Sequence, residues 1–174
     1  MNPAEQCCPP AAFDKTRASR TLAALAEGED GFIPSPDEVD LFAAVFGNSP
    51  FLARLAQRER VFLRRTTGLS AEIVLRNIET EVRAAVREVD INTVMAALRR
   101  AKRQAALTIA LADIGGVWSL KQVAHALSSF AEVCIGTSLQ FRLRQASVQG
   151  GMDASDPAKL EAQTGLVVLA MGKY

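Results

Sequence analysis

Apolar residues recur at intervals of three or four positions along most of this chain, which is the spacing of one face of an α-helix. The clearest stripe follows Ser70 and consists of Val74, Ile78, Val82, Ala85 and Val89. A second stripe follows Asp90 and consists of Val94, Leu98, Ala101, Ala105 and Ile109. These patterns predict two long amphipathic helices, one ending near residue 88 and one near residue 114.

Capping residues predict where further helices begin. Ser119 precedes the longest predicted helix, which would end near residue 147, and Gln122 three positions later completes a capping-box pattern. Ser49 and Pro50 give an N-cap followed by proline at the first helical position. The remaining predicted helices span residues 14–26, 37–46 and 50–67.

The pattern changes near the C-terminal end. Leu166 to Met171 is a continuous apolar run of strand length, which is typical of a strand covered on both faces. Gly172 then relaxes the backbone, and Lys173 places a cation at the carboxyl end of the strand, where ligands of open α/β sheets usually bind. Since one strand is not a sheet, either it pairs with something absent, or the chain is a fragment cut at the edge of an active site.

The predicted fold is therefore mainly α, a helical bundle that leads into one strand. We expect three regions in the sequence. Residues 1–35 form a flexible N-terminal segment with one helix, residues 36–148 form a helical domain, and residues 149–174 form a loop and the strand.

Composition narrows the class of protein. The chain has 174 residues, of which 49% are hydrophobic and 22% charged, as in a globular domain. A net charge of +1 and an aromatic content of 6% argue against a nucleic-acid binder, and no apolar run is long enough to span a membrane. The chain has three cysteines, Cys7, Cys8 and Cys134, which form no C-x-x-C pair, and it has one histidine. These are too few ligands for a zinc cluster. We therefore expect reduced thiols in a cytoplasmic protein.

Four cations cluster in the second long helix, namely Arg99, Arg100, Lys102 and Arg103. Like charges three or four residues apart on a helix repel each other, so they favour water or an anion. The cluster is therefore either a solvated helix face or a contact surface for phosphate or for an acidic partner. His125 shares a polar stripe of the last helix and is predicted to be a surface residue.

Three segments of this chain together resemble one family. Residues 47–54 read G-N-S-P-F-L-A-R, residues 98–104 read L-R-R-A-K-R-Q and continue to A-L-A-D-I at 110–114, and residues 165–174 read G-L-V-V-L-A-M-G-K-Y. The set resembles the glutamine synthetase adenylyltransferases, over most of residues 36–174. In that family the last segment is followed by a glycine-rich turn and by an S-D-x-D-L motif whose aspartates hold Mg²⁺.

The resemblance implies a large bifunctional enzyme with two nucleotidyltransferase units of the polymerase-beta type. One unit transfers AMP from ATP to a tyrosine of glutamine synthetase, and the N-terminal unit removes it by phosphorolysis, giving ADP. PII-type signalling proteins regulate the balance. On this resemblance, the chain corresponds to the helical prelude and first core strand of the N-terminal unit. Gly172 and Lys173 are then expected near nucleotide phosphate, with Mg²⁺ and ATP or ADP as the family's cofactors.

The leading hypothesis is thus the N-terminal, deadenylylating part of such an enzyme, inactive alone because the metal-binding aspartates have no counterpart in this sequence. The alternative is a non-catalytic helical module that docks on glutamine synthetase or on a PII-type protein through the cationic cluster. A third possibility is a helical relic of a frameshifted gene with no activity.

Overall fold

The computed structural model describes residues 9–147, 164–166, 168 and 169. Over these residues the chain is mainly helical and contains no strand. The α-helices are α1 (Lys15–Ala26), α2 (Val39–Asn48), α3 (Pro50–Arg58), α4 (Arg60–Thr66), α5 (Ala71–Ala84), α6 (Ile91–Ile114) and α7 (Leu120–Ala146). A short 3₁₀-helix, Ala85–Arg87, follows α5. The predicted mainly α class is confirmed.

The predicted helix starts are confirmed at the level of hydrogen bonds. The Ser49 hydroxyl accepts from the Leu52 backbone N–H at 3.1 Å, and Pro50 occupies the first turn of α3. At α7, the Ser119 N–H donates to the Gln122 side-chain oxygen at 2.9 Å, and the Gln122 N–H donates to the Ser119 hydroxyl at 3.4 Å. Each bond satisfies a backbone donor that the helix itself leaves unpaired.

The apolar stripes predicted for α5 and α6 form their buried faces. The members whose side chains are buried are Val74, Ile78, Val82, Ala85, Val94, Ala101, Ala105 and Ile109. Val89 follows the end of the 3₁₀-helix and is 85% exposed, so the helical register does not reach it.

The helix predicted over residues 50–67 is interrupted at Glu59. This residue has φ −109° and ψ 28°, outside the α-helical region, and it separates α3 from α4. The apolar spacing continues across the interruption because Leu55 and Leu63 are both buried. Periodicity alone therefore could not reveal the break.

The chain divides into two compact units, one comprising Met1–Arg76 and Lys102–Val123 and the other Asn77–Ala101 and Ala124–Tyr174. The first unit has an aromatic centre in which the Phe32 and Phe42 rings lie 5.1 Å apart and the Phe42 and Phe46 rings 5.5 Å apart. Leu25 of α1 and Leu107 of α6 are fully buried in the same cluster. Edge-to-face and tilted ring contacts of this kind add to the energy of burial.

The second unit has a smaller core. Ala85, Val94 and Phe141 are buried together, and Ile91 and Leu98 pack against them. Within this unit the Arg144 guanidinium donates to the Val86 backbone carbonyl at 2.8 Å, which ties α7 to the 3₁₀-helix.

The sequence predicts that residues 1–35 are flexible apart from one helix, yet part of this segment belongs to the first core. Leu25 is 0% exposed and Phe32 is 3% exposed. Phe32 lies in the stretch between α1 and α2, and its N–H donates to the Leu25 carbonyl at 2.7 Å. The proposed boundary at residue 35 stays a prediction.

The predicted C-terminal strand is not confirmed. Its described residues, Leu166, Val168 and Leu169, lie in no strand and are 54%, 56% and 78% exposed. An isolated strand leaves its backbone donors and acceptors without partners, so it gains no ladder of hydrogen bonds. The rest of the run, with Gly172 and Lys173, lies outside the described residues.

Candidate functional site

The cationic cluster predicted in the sequence lies on α6. Arg99, Arg100 and Lys102 are exposed, and no ion pair joins them to any acidic group in the part of the chain that the structure describes. No acidic residue precedes Asp113 in α6, so this stretch of helix carries positive charge that nothing in its own sequence neutralises. These three residues, called the α6 cationic face below, are available to an anionic partner.

Arg103 has a different environment, and it does not belong to that face. Its Nε donates to Glu59 Oε1 at 2.5 Å, and its side chain is 28% exposed. Gln104 Nε2 donates to the other oxygen of Glu59 at 3.1 Å. The prediction that Arg103 contacts phosphate or a partner together with its neighbours stays a prediction, and the structure shows its guanidinium already paired with Glu59. A buried carboxylate requires a paired cation, and Arg103 supplies it.

The Glu59 carboxylate holds the junction of α3 and α4 against α6. Its side chain is only 7% exposed, and both oxygens accept hydrogen bonds from α6. Sequence reasoning missed this residue, although one signal was available. Glu59 stands on the apolar face of its predicted helix, four residues after Leu55 and four before Leu63. A charged residue at such a position indicates a buried partner elsewhere in the chain.

A second polar contact of the first unit joins its single tryptophan to α5. Trp118 is 7% exposed, and its Nε1 donates to Glu72 Oε1 at 2.5 Å. This bond, followed by bonds from the Glu72 backbone N–H and from the Ser70 hydroxyl, lowers the pKa of Glu72 below its ordinary value. The indole is thereby fixed beside the start of α5.

A cavity of about 310 Å³ lies within the first unit. Its walls are mainly apolar, and they are formed chiefly by Phe32, Phe42, Phe62, Leu63, Leu111 and Val74. The loop between α4 and α5 closes one side through Gly68 and Leu69, and Glu38 at the start of α2 supplies an acidic side chain. No pattern in the sequence had indicated this cavity.

His125 is exposed on α7, as expected. Burial, and to a lesser extent the charge of Glu79, raises the pKa of the Cys134 thiol, so this cysteine is less reactive than a solvent-exposed one.

Over residues 9–147 and the few described beyond them, no three His, Cys, Asp or Glu side chains are arranged to hold a metal ion. None of the described helices is both long and apolar enough to cross a bilayer.

A comparison with known families finds a match over most of the chain. Residues 39–174 match the model of a family described as glutamate-ammonia ligase adenylyltransferase. The matched range includes α2 to α7, and therefore Glu59, Arg103 and the α6 cationic face.

Curated relatives carry a consistent name. A protein of Rhodopseudomonas palustris is 40% identical over 126 residues, or 72% of this chain and 13% of its own length. Proteins of Bradyrhizobium diazoefficiens and Caulobacter vibrioides are 33% and 32% identical over 92% and 93% of this chain. All three are named bifunctional glutamine synthetase adenylyltransferase/adenylyl-removing enzyme.

The chain spans about 13% to 17% of the length of these relatives. No solved structure is similar to it at a significant level.

Proposed function

The chain belongs to the glutamate-ammonia ligase adenylyltransferase family, and we propose that it acts as the N-terminal, deadenylylating part of a bifunctional enzyme that controls glutamine synthetase. Such an enzyme transfers AMP to a tyrosine of glutamine synthetase and removes it by phosphorolysis. The observation that carries the proposal is the match over residues 39–174 together with the shared name of the relatives. The motifs at residues 47–54, 98–114 and 165–174 support the N-terminal assignment by resemblance.

We propose further that these 174 residues do not catalyse either reaction alone. Two facts support this. The chain spans 13% of the Rhodopseudomonas relative, and the S-D-x-D-L motif that binds Mg²⁺ in the family has no counterpart in its sequence. In the assembled enzyme we place Gly172 and Lys173 near nucleotide phosphate, with Mg²⁺ and ATP or ADP as cofactors. The same proposal places the protein in the cytoplasm and makes a PII-type protein its regulator.

The proposal is tested by deadenylylation. Adenylylated glutamine synthetase is incubated with phosphate and Mg²⁺, and ADP formation is measured with this chain, with a full-length relative as positive control. We expect ADP from the relative and none from the chain. ADP formation by the purified chain that depends on Mg²⁺ would contradict the claim that it is inactive alone.

A second arm tests the assignment itself. The relative is prepared without the segment that aligns with this chain, and the 174-residue chain is added as a separate polypeptide. Restored ADP formation supports the assignment to the deadenylylating part. Full activity of the shortened relative without the chain would show that this segment is not part of that unit.

The α6 cationic face favours a second candidate function, that of a non-catalytic module docking on glutamine synthetase or a PII-type protein. The observation behind it is the exposure of Arg99, Arg100 and Lys102 without an acidic partner in the described parts. Exposed cations of this kind steer and orient an acidic surface. Arg103 is left out because it pairs with Glu59.

A pull-down with immobilised glutamine synthetase or PII-type protein tests docking. The variant is Arg99→Glu/Arg100→Glu, and Arg142→Glu, which reverses an exposed charge on α7, is the control. Docking through α6 predicts loss of capture for the double variant only. Equal capture of all three proteins eliminates the α6 cationic face as the docking surface.

A further inference from the structure

We propose that the cavity of the first unit binds a small amphipathic amine, a compact apolar group that carries one ammonium. The cavity is separate from the α6 cationic face. It lies within the first unit alone, between the start of α2, the loop from α4 to α5 and the last turns of α6. Nothing in the proposed transfer of AMP makes use of it.

The size of the cavity sets the size of the ligand. Its volume is about 310 Å³, whereas an apolar protein cavity of about 150 Å³ accommodates benzene. The space therefore holds one aromatic ring with a short alkyl chain. Phe32, Phe42 and Phe62 line it, and an aromatic or branched aliphatic group gains free energy by leaving water for such walls.

The hydroxyl groups of the lining do not donate hydrogen bonds to an anion or a carbonyl of a ligand, because each hydroxyl proton already forms a hydrogen bond within the protein. Thr66 donates to the Phe62 carbonyl at 2.9 Å and Thr108 donates to the Gln104 carbonyl at 2.9 Å. Thr67 likewise donates to a backbone carbonyl, at 3.1 Å, and Ser70 is hydrogen-bonded to Glu72. A ligand thus meets hydroxyl lone pairs, which accept from an ammonium.

Glu38 gives the cavity its charge preference. Among the lining residues that the structure describes, it is the single ionisable one, and none of them is a lysine, an arginine or a histidine. Its Oε2 accepts from the Ser35 N–H at 3.0 Å and from the Ser35 hydroxyl at 2.8 Å. Over the described residues no hydrogen bond reaches Oε1. A half-buried carboxylate with one oxygen available favours a cationic ligand and repels an anionic one.

Three probes of equal apolar size test the proposal with the intact chain. They are 2-phenylethylamine, ethylbenzene and 3-phenylpropionate, and binding is followed by amide chemical shifts and by the fluorescence of Trp118, which adjoins the lining residue Val117. We expect the amine to shift the lining amides and bind most tightly, the neutral compound to bind less tightly and the acid to bind weakest. No shift with the amine at concentrations up to about 10 mM, or equal binding of amine and acid, would overturn the proposal.

Variants then test the carboxylate and the apolar space of the cavity separately. Glu38→Gln should weaken binding of the amine about threefold to fivefold and leave ethylbenzene unchanged, since a partly solvated ion pair contributes that much. Asp37→Asn removes a neighbouring exposed carboxylate outside the lining, and it should change neither the affinity for the amine nor the affinity for ethylbenzene. Ala71→Leu places an isobutyl group in the cavity and should weaken both ligands. If that variant does not fold, Glu38→Gln decides alone, and equal amine affinity in Glu38→Gln and wild type refutes the role of the carboxylate.

Discussion

Replacing Arg103 by alanine would leave the Glu59 carboxylate in the interior of the first unit without its cation. The Glu59 side chain is 7% exposed and the Arg103 side chain is 28% exposed, so the carboxylate is the more deeply buried partner. The Gln104 amide would still donate to one oxygen. One neutral hydrogen bond does not compensate a buried negative charge.

The cost follows from the burial of the pair. Breaking a fully buried ion pair destabilises a protein by about 3–5 kcal/mol. Because Arg103 is partly solvated, and because Gln104 remains, we expect Arg103→Ala to lower the free energy of unfolding by about 2–4 kcal/mol. The double variant Glu59→Leu/Arg103→Met, which removes both charges and keeps similar volumes, should lose less than Arg103→Ala alone.

Urea unfolding followed by circular dichroism and by tryptophan fluorescence measures these differences. The matched control is Arg64→Ala, because Arg64 pairs with Asp30 at 3.2 Å with side chains 51% and 56% exposed. Exposed pairs contribute about 0–1 kcal/mol. A loss in Arg103→Ala no larger than that in Arg64→Ala would refute the reasoning, as would a double variant less stable than Arg103→Ala.

Three other predictions concern single contacts. The hydrogen bond from the Trp118 indole is the main reason that the pKa of Glu72 is lowered. The stability that the ionised Glu72 side chain contributes is therefore present above the ordinary carboxyl pKa and is lost as the pH falls through the lowered pKa. The difference in unfolding free energy between wild type and Glu72→Gln should shrink from pH 6 to pH 3. Gly47→Ala should destabilise by about 1–3 kcal/mol, since its Cβ would lie 2.6 Å from the Ala12 Cβ. Gly136→Ala, with open space around the new methyl group, should instead stabilise α7 by about 0.5–1 kcal/mol, and thermal unfolding distinguishes the two signs.

The family was recognisable from the sequence. The segments at residues 47–54, 98–114 and 165–174 resemble the adenylyltransferases, and the match over residues 39–174 confirms that identification. The placement of Gly172 and Lys173 near nucleotide phosphate was implied by the same resemblance, and it stays a prediction because both residues lie outside the described part of the chain.

The local sequence determined where the helices begin and which faces they bury. The Ser49 cap of α3 and the Ser119–Gln122 box of α7 depend on groups within three residues of each other, so the spacing of residue types is sufficient to predict them. The same holds for the apolar stripes of α5 and α6, because a fixed helical repeat places those side chains on one face.

Only the tertiary structure decided which charged and apolar groups meet. Arg103 pairs with a residue 44 positions away, and Trp118 bonds one 46 positions away. The packing of α6 therefore separates Arg103 from the exposed Arg99 and Arg100, although the sequence presents all three alike. The cavity beside Glu38 likewise exists because residues distant in the chain leave space between them. Spacing along the chain carries no record of such contacts, since they depend on how whole helices pack.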